Sequence, residues 1–192
     1  MNTILIELQH MALRGIDATN LSELARIDPI GMILLREPMC WGYWCTPVNT
    51  ITFATTGGDG VHYGLLAIDG VISNASPVIV TLPCARTCNI VVGETLHDFL
   101  RLGSKVGYFV LEQIEYQPSV YIPLLDSGTH LAEMEDEEVD LLQQSTKKLS
   151  LEPWPHHESK FNFLKREYLP MLQYPDEYHD ITADRNDSSG TP

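Results

Sequence analysis

Thr50-Ile51-Thr52-Phe53-Ala54-Thr55-Thr56-Gly57-Gly58-Asp59-Gly60-Val61-His62-Tyr63-Gly64-Leu65-Leu66-Ala67-Ile68 is the stretch whose reading decides the fold. Thr50–Thr55 alternates polar and apolar residues, the pattern of a half-buried strand. Gly57-Gly58-Asp59-Gly60 then supplies residues that tolerate positive φ or cap a turn. Val61–Ile68 continues as a returning strand, and Asp69-Gly70 makes a second turn. The unit is a β-hairpin.

Outward from it, Val71-Ile72-Ser73, Pro77–Leu82 and Asn89–Val92 read as further short strands. Together they predict an antiparallel β meander of four to five strands. Ile4–Leu13 has apolar residues at helical spacing. A second helix is expected from Thr19 or Asn20 to Ile27, stopped by Asp28-Pro29. Ile30–Leu35 fits either a helix or a buried strand. After the meander, Thr95–Leu102 reads as an amphipathic helix with Gly103 as its C-cap. Short helices are expected at Tyr108–Ile114 and Phe161–Leu169, and a longer acidic one within 131–149. Glu133, Glu135, Asp136, Glu137, Glu138 and Asp140 precede Lys147-Lys148, an order that complements a helix dipole. The fold class is therefore α+β, a meander packed by helices.

The charge divides the chain. Residues 1–125 hold 11 acids and 6 bases, and residues 126–192 hold 15 acids and 6 bases. This predicts a core domain over 1–125 and an acidic helical extension over 126–182 packed on it. A polar, disordered tail is expected over 183–192. The net charge of −14 opposes nucleic acid and anionic membranes, because phosphate binding needs Lys and Arg. It favours a basic protein partner. No run approaches the roughly 18 apolar residues of a membrane span, and Met1–Glu7 lacks the basic start of a secretory signal. Cys40, Cys45, Cys84 and Cys88 then read as thiols in a cytoplasmic protein.

Several residue groups invite a chemical reading. Cys40-x4-Cys45 and Cys84-x3-Cys88 resemble two zinc half-sites, but their spacing is looser than the usual knuckle, so no metal and no cofactor is assigned. His156, His157 and His179 read as surface histidines. Asp59 and His62 flank the hairpin tip and His97-Asp98 opens a helix, and a His with a carboxylate can move protons. The glycine turn lacks the spacing and the Lys of a phosphate loop, and a strand follows it rather than a helix. Pro38–Pro47 carries Met39, Trp41, Tyr43 and Trp44 in a loop. These side chains either cover the core or form a binding surface.

Phe53–Gly60, Val61–Leu66 and Asn89–Leu100 together resemble the SUKH superfamily. That resemblance implies an α+β protein working by binding, such as an immunity protein that neutralises a toxin or a regulator, without catalytic residues or cofactor. The leading expectation is a non-catalytic protein-binding domain contacting a basic partner through Trp41, Tyr43, Trp44, Asp59, His62, Glu135 and Asp136. The alternatives are a small hydrolase using His62, Asp59 or Cys84, and a structural homodimer subunit.

Overall fold

The computed structural model of the protein describes residues 3–13, 23–24, 29–127 and 134–187. The elements run α1 (Thr3–Leu13), β1 (Glu23–Leu24), β2 (Ile33–Met39), β3 (Thr50–Thr55), β4 (His62–Leu66), β5 (Val78–Thr81) and β6 (Asn89–Gly93). Then come α2 (Leu96–Gly103), α3 (Gln113–Tyr116), α4 (Pro118–Ser127), α5 (Asp136–Leu149), α6 (His157–Tyr168) and α7 (Asp176–Asp187). The strands form one antiparallel sheet in the order β1-β2-β3-β4-β5-β6. The α+β meander is as the sequence predicts, with β3 to β6 in the stretch read as strands, and β1 and β2 extend the sheet to six strands.

The extra strands come from the ambiguous stretch. Ile33–Met39 is a strand beside β3, and Glu23–Leu24 pairs with Leu34 and Leu35. Those two residues lie inside the helix expected over 20–27, most of which is outside the described residues. Val71-Ile72-Ser73 contributes only the bridge Ile68↔Val71, closed by Asp69 and Gly70, both at positive φ. This is the mirror-image turn that suits the strand twist.

The two faces of the sheet are set by register, since residues opposite one another share a face. Tyr63 and Phe53 point to the face covered by α2, where Phe99 lies 5.1 Å and 6.2 Å from their rings. Burial pushes the hydroxyls of Tyr63 and Tyr108 far above the ordinary tyrosine value. Each hydroxyl donates instead to a carbonyl, Tyr63 to Tyr108 O at 2.9 Å and Tyr108 to Leu100 O at 3.0 Å. Thr95 caps α2 by accepting from Asp98 N at 3.0 Å. Gly103 does not act as the C-cap; it is the last helical residue, and its missing side chain leaves room for the Tyr108 ring.

The segment after Ser127 is clasped onto this core. His97 Nε2 donates to Leu149 O (3.1 Å) and Arg101 Nε to Glu152 O (2.5 Å). Trp154 Nε1 donates to the Asp98 carboxylate at 3.0 Å. His157 meets Asp126 at 2.5 Å. Further on, Asn49 holds the chain at both Met171 O and Gln173 N. The extension is thus stapled at both ends. Helix α7 runs to Asp187, into the segment expected to be disordered; residues 188–192 lie outside the described residues.

Candidate functional site

The alternation of β3 suggests a solvated polar face, and this is where the structure departs most from expectation. Every residue of β4 and β5 is buried, and β3 is buried at all but one position. The register aligns Thr55, His62, Thr81 and Asn89 across four strands. This polar row is covered by the loop over 40–47, since Pro38 and Met39, expected in that loop, end β2 instead, and the loop supplies hydrogen-bond partners that water would otherwise supply. Thr50 Oγ1 donates to Pro47 O (2.8 Å), and Asn89 Nδ2 donates to Cys45 O (2.9 Å). Thr46 Oγ1 lies 3.1 Å from His62 Nε2.

His62 is fixed by these partners. The Gly60 carbonyl, 2.7 Å from Nδ1, can only accept, so Nδ1 carries the proton and Nε2 accepts from Thr46. Burial pushes the imidazole below its ordinary value, with the Gly60 carbonyl pulling the other way. Trp41 meets the ring edge-on at 4.9 Å and Tyr43 stacks on it at 5.6 Å. The Tyr43 ring also lies over Gly60, whose φ of +71° and close approach both favour glycine. The sequence-derived trio Trp41, Tyr43 and His62 is therefore one cluster.

Trp44 turns away from that trio. It stacks on Tyr178 at 5.8 Å, and Tyr178 stacks on Tyr174 at 3.8 Å. Burial raises the hydroxyls of both tyrosines. The loop thus does mainly what a lid does. Trp41 and Trp44 are half-buried, while Tyr43 (41%) and, at the end of β2, Met39 (50%) remain exposed.

The hydrolase constellation does not assemble. Both His62 nitrogens are engaged, and neither Asp59 nor Cys84 is their partner. Asp59 sits at the hairpin tip with φ +50°. The four cysteines are thiols, Cys45 and Cys88 buried and Cys40 and Cys84 exposed, so each sequence pair is split between interior and surface. Among the described residues, no group of three or more His, Cys, Asp or Glu gathers to hold a metal. Likewise no helix among them is long and apolar enough to cross a membrane.

A different surface emerges at the hairpin-tip end. Desolvation raises the Tyr116 hydroxyl, and the charges of Glu112, Cys84, Asp59 and Glu115 add to the shift. That places the β3–β4 tip, the β5–β6 turn and the end of α3 within electrostatic reach of one another. Tyr116 is 48% exposed and Phe109 46%. Phe109 shares a cleft with Met134 and Glu138, which brings the acidic start of α5 to the same neighbourhood. There Glu138 accepts from Glu135 N at 2.8 Å, so part of this acid cluster also starts its helix. Sequence reasoning passes over Phe109, Glu112, Glu115 and Tyr116, which look there like one unremarkable short helix.

Comparison of the chain with known protein families, with characterised proteins and with solved structures returned no match.

Proposed function

We propose that the protein is a non-catalytic binding module that engages a basic protein through the hairpin-tip end of its sheet. The observation that carries this reading is the mixture there of exposed Tyr43, Phe109 and Tyr116 with Asp59, Glu112 and Glu115. Exposed aromatics anchor interfaces, and a like-signed rim steers an opposite-signed partner and suppresses wrong ones. The acidic start of α5, Glu135 and Asp136 included, extends the same field. An immunity-type partner, a basic toxin, fits this chemistry and the SUKH resemblance. The sealing of His62 favours binding over hydrolysis.

The test begins by cross-linking from a photoreactive residue in place of Tyr116 in the native host, which identifies the partner. With purified partner, Glu112→Lys/Glu115→Lys is expected to slow association and flatten its dependence on salt. Unchanged kinetics in that double variant would refute the reading.

A further inference from the structure

Strand β6 ends the sheet, and its outer edge has no part in the reading above. The bond from Leu82 N to Cys88 O (2.7 Å) fixes how that strand is turned. In an antiparallel pair, opposite residues alternate between exchanging both main-chain bonds and exchanging none. Leu82 opposite Cys88 is a bonded pair. The register then makes Val80↔Ile90 bonded, and Thr81↔Asn89 and Ile79↔Val91 non-bonded. The N–H and C=O groups of Asn89 and Val91 therefore point away from β5. Asn89 meets Thr81 and Cys45 through its side-chain amide, and no hydrogen bond among the described residues reaches these four main-chain groups.

The edge is recessed. Asn89 and Val91 are each 2% exposed, yet with Ile90 they line a cleft of about 220 Å³. Ile114 and Pro118 from α3 and α4, and Phe161 from α6, give it apolar walls. The volume is below the roughly 300 Å³ of ordinary ligand pockets and suits a slender main chain. A donor and an acceptor on each of two alternate residues, about 7 Å apart, match the backbone of another strand. Buried main-chain groups without partners are costly, and a pairing strand would satisfy all four. A second copy of the chain cannot supply that strand from its own β6, because its edge is recessed behind the same helices. Charge narrows the occupant further. Glu115 and Lys165 both line the cleft, and neither forms an ion pair among the described residues. A strand bearing one acid and one base complements both.

We propose that the β6 edge captures an extended, mixed-charge peptide segment as a further strand, through the main-chain groups of Asn89 and Val91. The cleft adjoins the hairpin-tip surface at Glu115, but the inference does not rest on that reading. It can fail alone, because Val91 lies outside that surface.

The experiment titrates the blocked pentapeptides Ac-Glu-Val-Thr-Val-Lys-NH2 and Ac-Lys-Val-Thr-Val-Glu-NH2 into the full chain and follows backbone amides by NMR. Both charge orders are used because the order sets strand direction. With at least one, a saturable shift is expected at the Asn89 and Val91 N–H groups, larger than at Ile90 N–H. N-methylation of both valines blocks one edge of the peptide, and N-methylation of the threonine blocks the other. One modified peptide is expected to bind at least roughly tenfold more weakly and the other about as well as its parent. Val91→Pro removes an N–H turned away from the ladder, which an edge strand tolerates, and is expected to weaken binding severalfold. Should that variant not fold, the methylated peptides decide the point on the native chain. Absence of saturation with either peptide at millimolar concentration, equal effects of the two methylations, or undiminished binding to folded Val91→Pro would overturn the proposal.

Discussion

His62 under the aromatic loop and His157 in the C-terminal clasp are each 1% exposed, yet they are held in opposite ways. His62 lies between neutral groups, the Gly60 carbonyl and the Thr46 hydroxyl, and burial works against its charged form. His157 faces Asp126, and the contact holds that carboxyl below the ordinary carboxylate range. Two equally buried histidines therefore sit in regions that depend differently on pH, through the imidazole itself at His62 and through the facing carboxyl at Asp126. The loop is sealed by neutral hydrogen bonds, whereas the clasp includes a carboxyl whose ionised form the His157 contact favours.

The largest expected effect breaks the clasp. Trp154 is 4% exposed, packs 5.5 Å from the Phe161 ring and donates to Asp98. Trp154→Ala should lower stability by ~3–5 kcal/mol in chemical denaturation. Trp154→Phe, which keeps most of the ring packing, should lose far less; equal losses would mean that the indole hydrogen bond dominates.

An intermediate effect sharpens the contrast through pH. The folded pKa of His62 is below its unfolded value of about 6.5, so between the two the unfolded chain binds more protons. His62 then contributes stability that is present above about pH 6.5 and is lost as the pH falls. Asp126 also has a depressed folded value, and its contribution is lost only below the ordinary carboxylate range, near pH 4. Between pH 7.5 and 5, His62→Gln should show a shallower fall in denaturation midpoint than the native chain, and Asp126→Asn should not. The same slope in all three proteins would erase the distinction between the two regions.

The smallest effect lies beneath the loop. Thr52 shares the polar face of β3, but its buried Oγ1 finds no hydrogen-bond partner among the described residues. Replacing an unsatisfied hydroxyl by a methyl removes its desolvation penalty, so Thr52→Val should raise stability by about 1 kcal/mol. A loss measured by thermal unfolding would indicate a partner for that hydroxyl.

These features differ in how plainly the sequence announces them. The alternation in Thr50–Thr55 and the glycine turn suffice to place β3, its hairpin and the meander, because both signals are local. The run Ile30–Leu35 is ambiguous because a strand buried on both faces loses the alternation that would mark it. The polar row eludes a linear reading for another reason. His62, Thr81 and Asn89 become neighbours only once the strands are in register. In hindsight, polar residues at the ends of three apolar strands are the available signal. Trp41, Tyr43 and Trp44 stand out by type, but their division between His62 and Tyr178 depends on the returning C-terminal segment. The aromatic and acidic end around Tyr116 is legible only in three dimensions, since its members come from four separate stretches. The same is true of the clasp at Trp154, where one carboxylate organises donors from α2, α6 and the turn between α5 and α6.

The nearest-neighbour order of the sheet has a consequence for how the chain assembles. Each strand pairs with the next one in the chain, so the meander from β2 to β6 can close through local loops that are entropically inexpensive. The bond from Asn49 to Gln173 spans 124 residues, and that from Trp154 to Asp98 spans 56. During synthesis the sheet would be complete while the strap that packs against β6 was still unmade. Until that strap arrives, Trp44 lacks Tyr178 and β6 lacks α6, so the nascent chain passes through a stage in which apolar surface is open to other proteins.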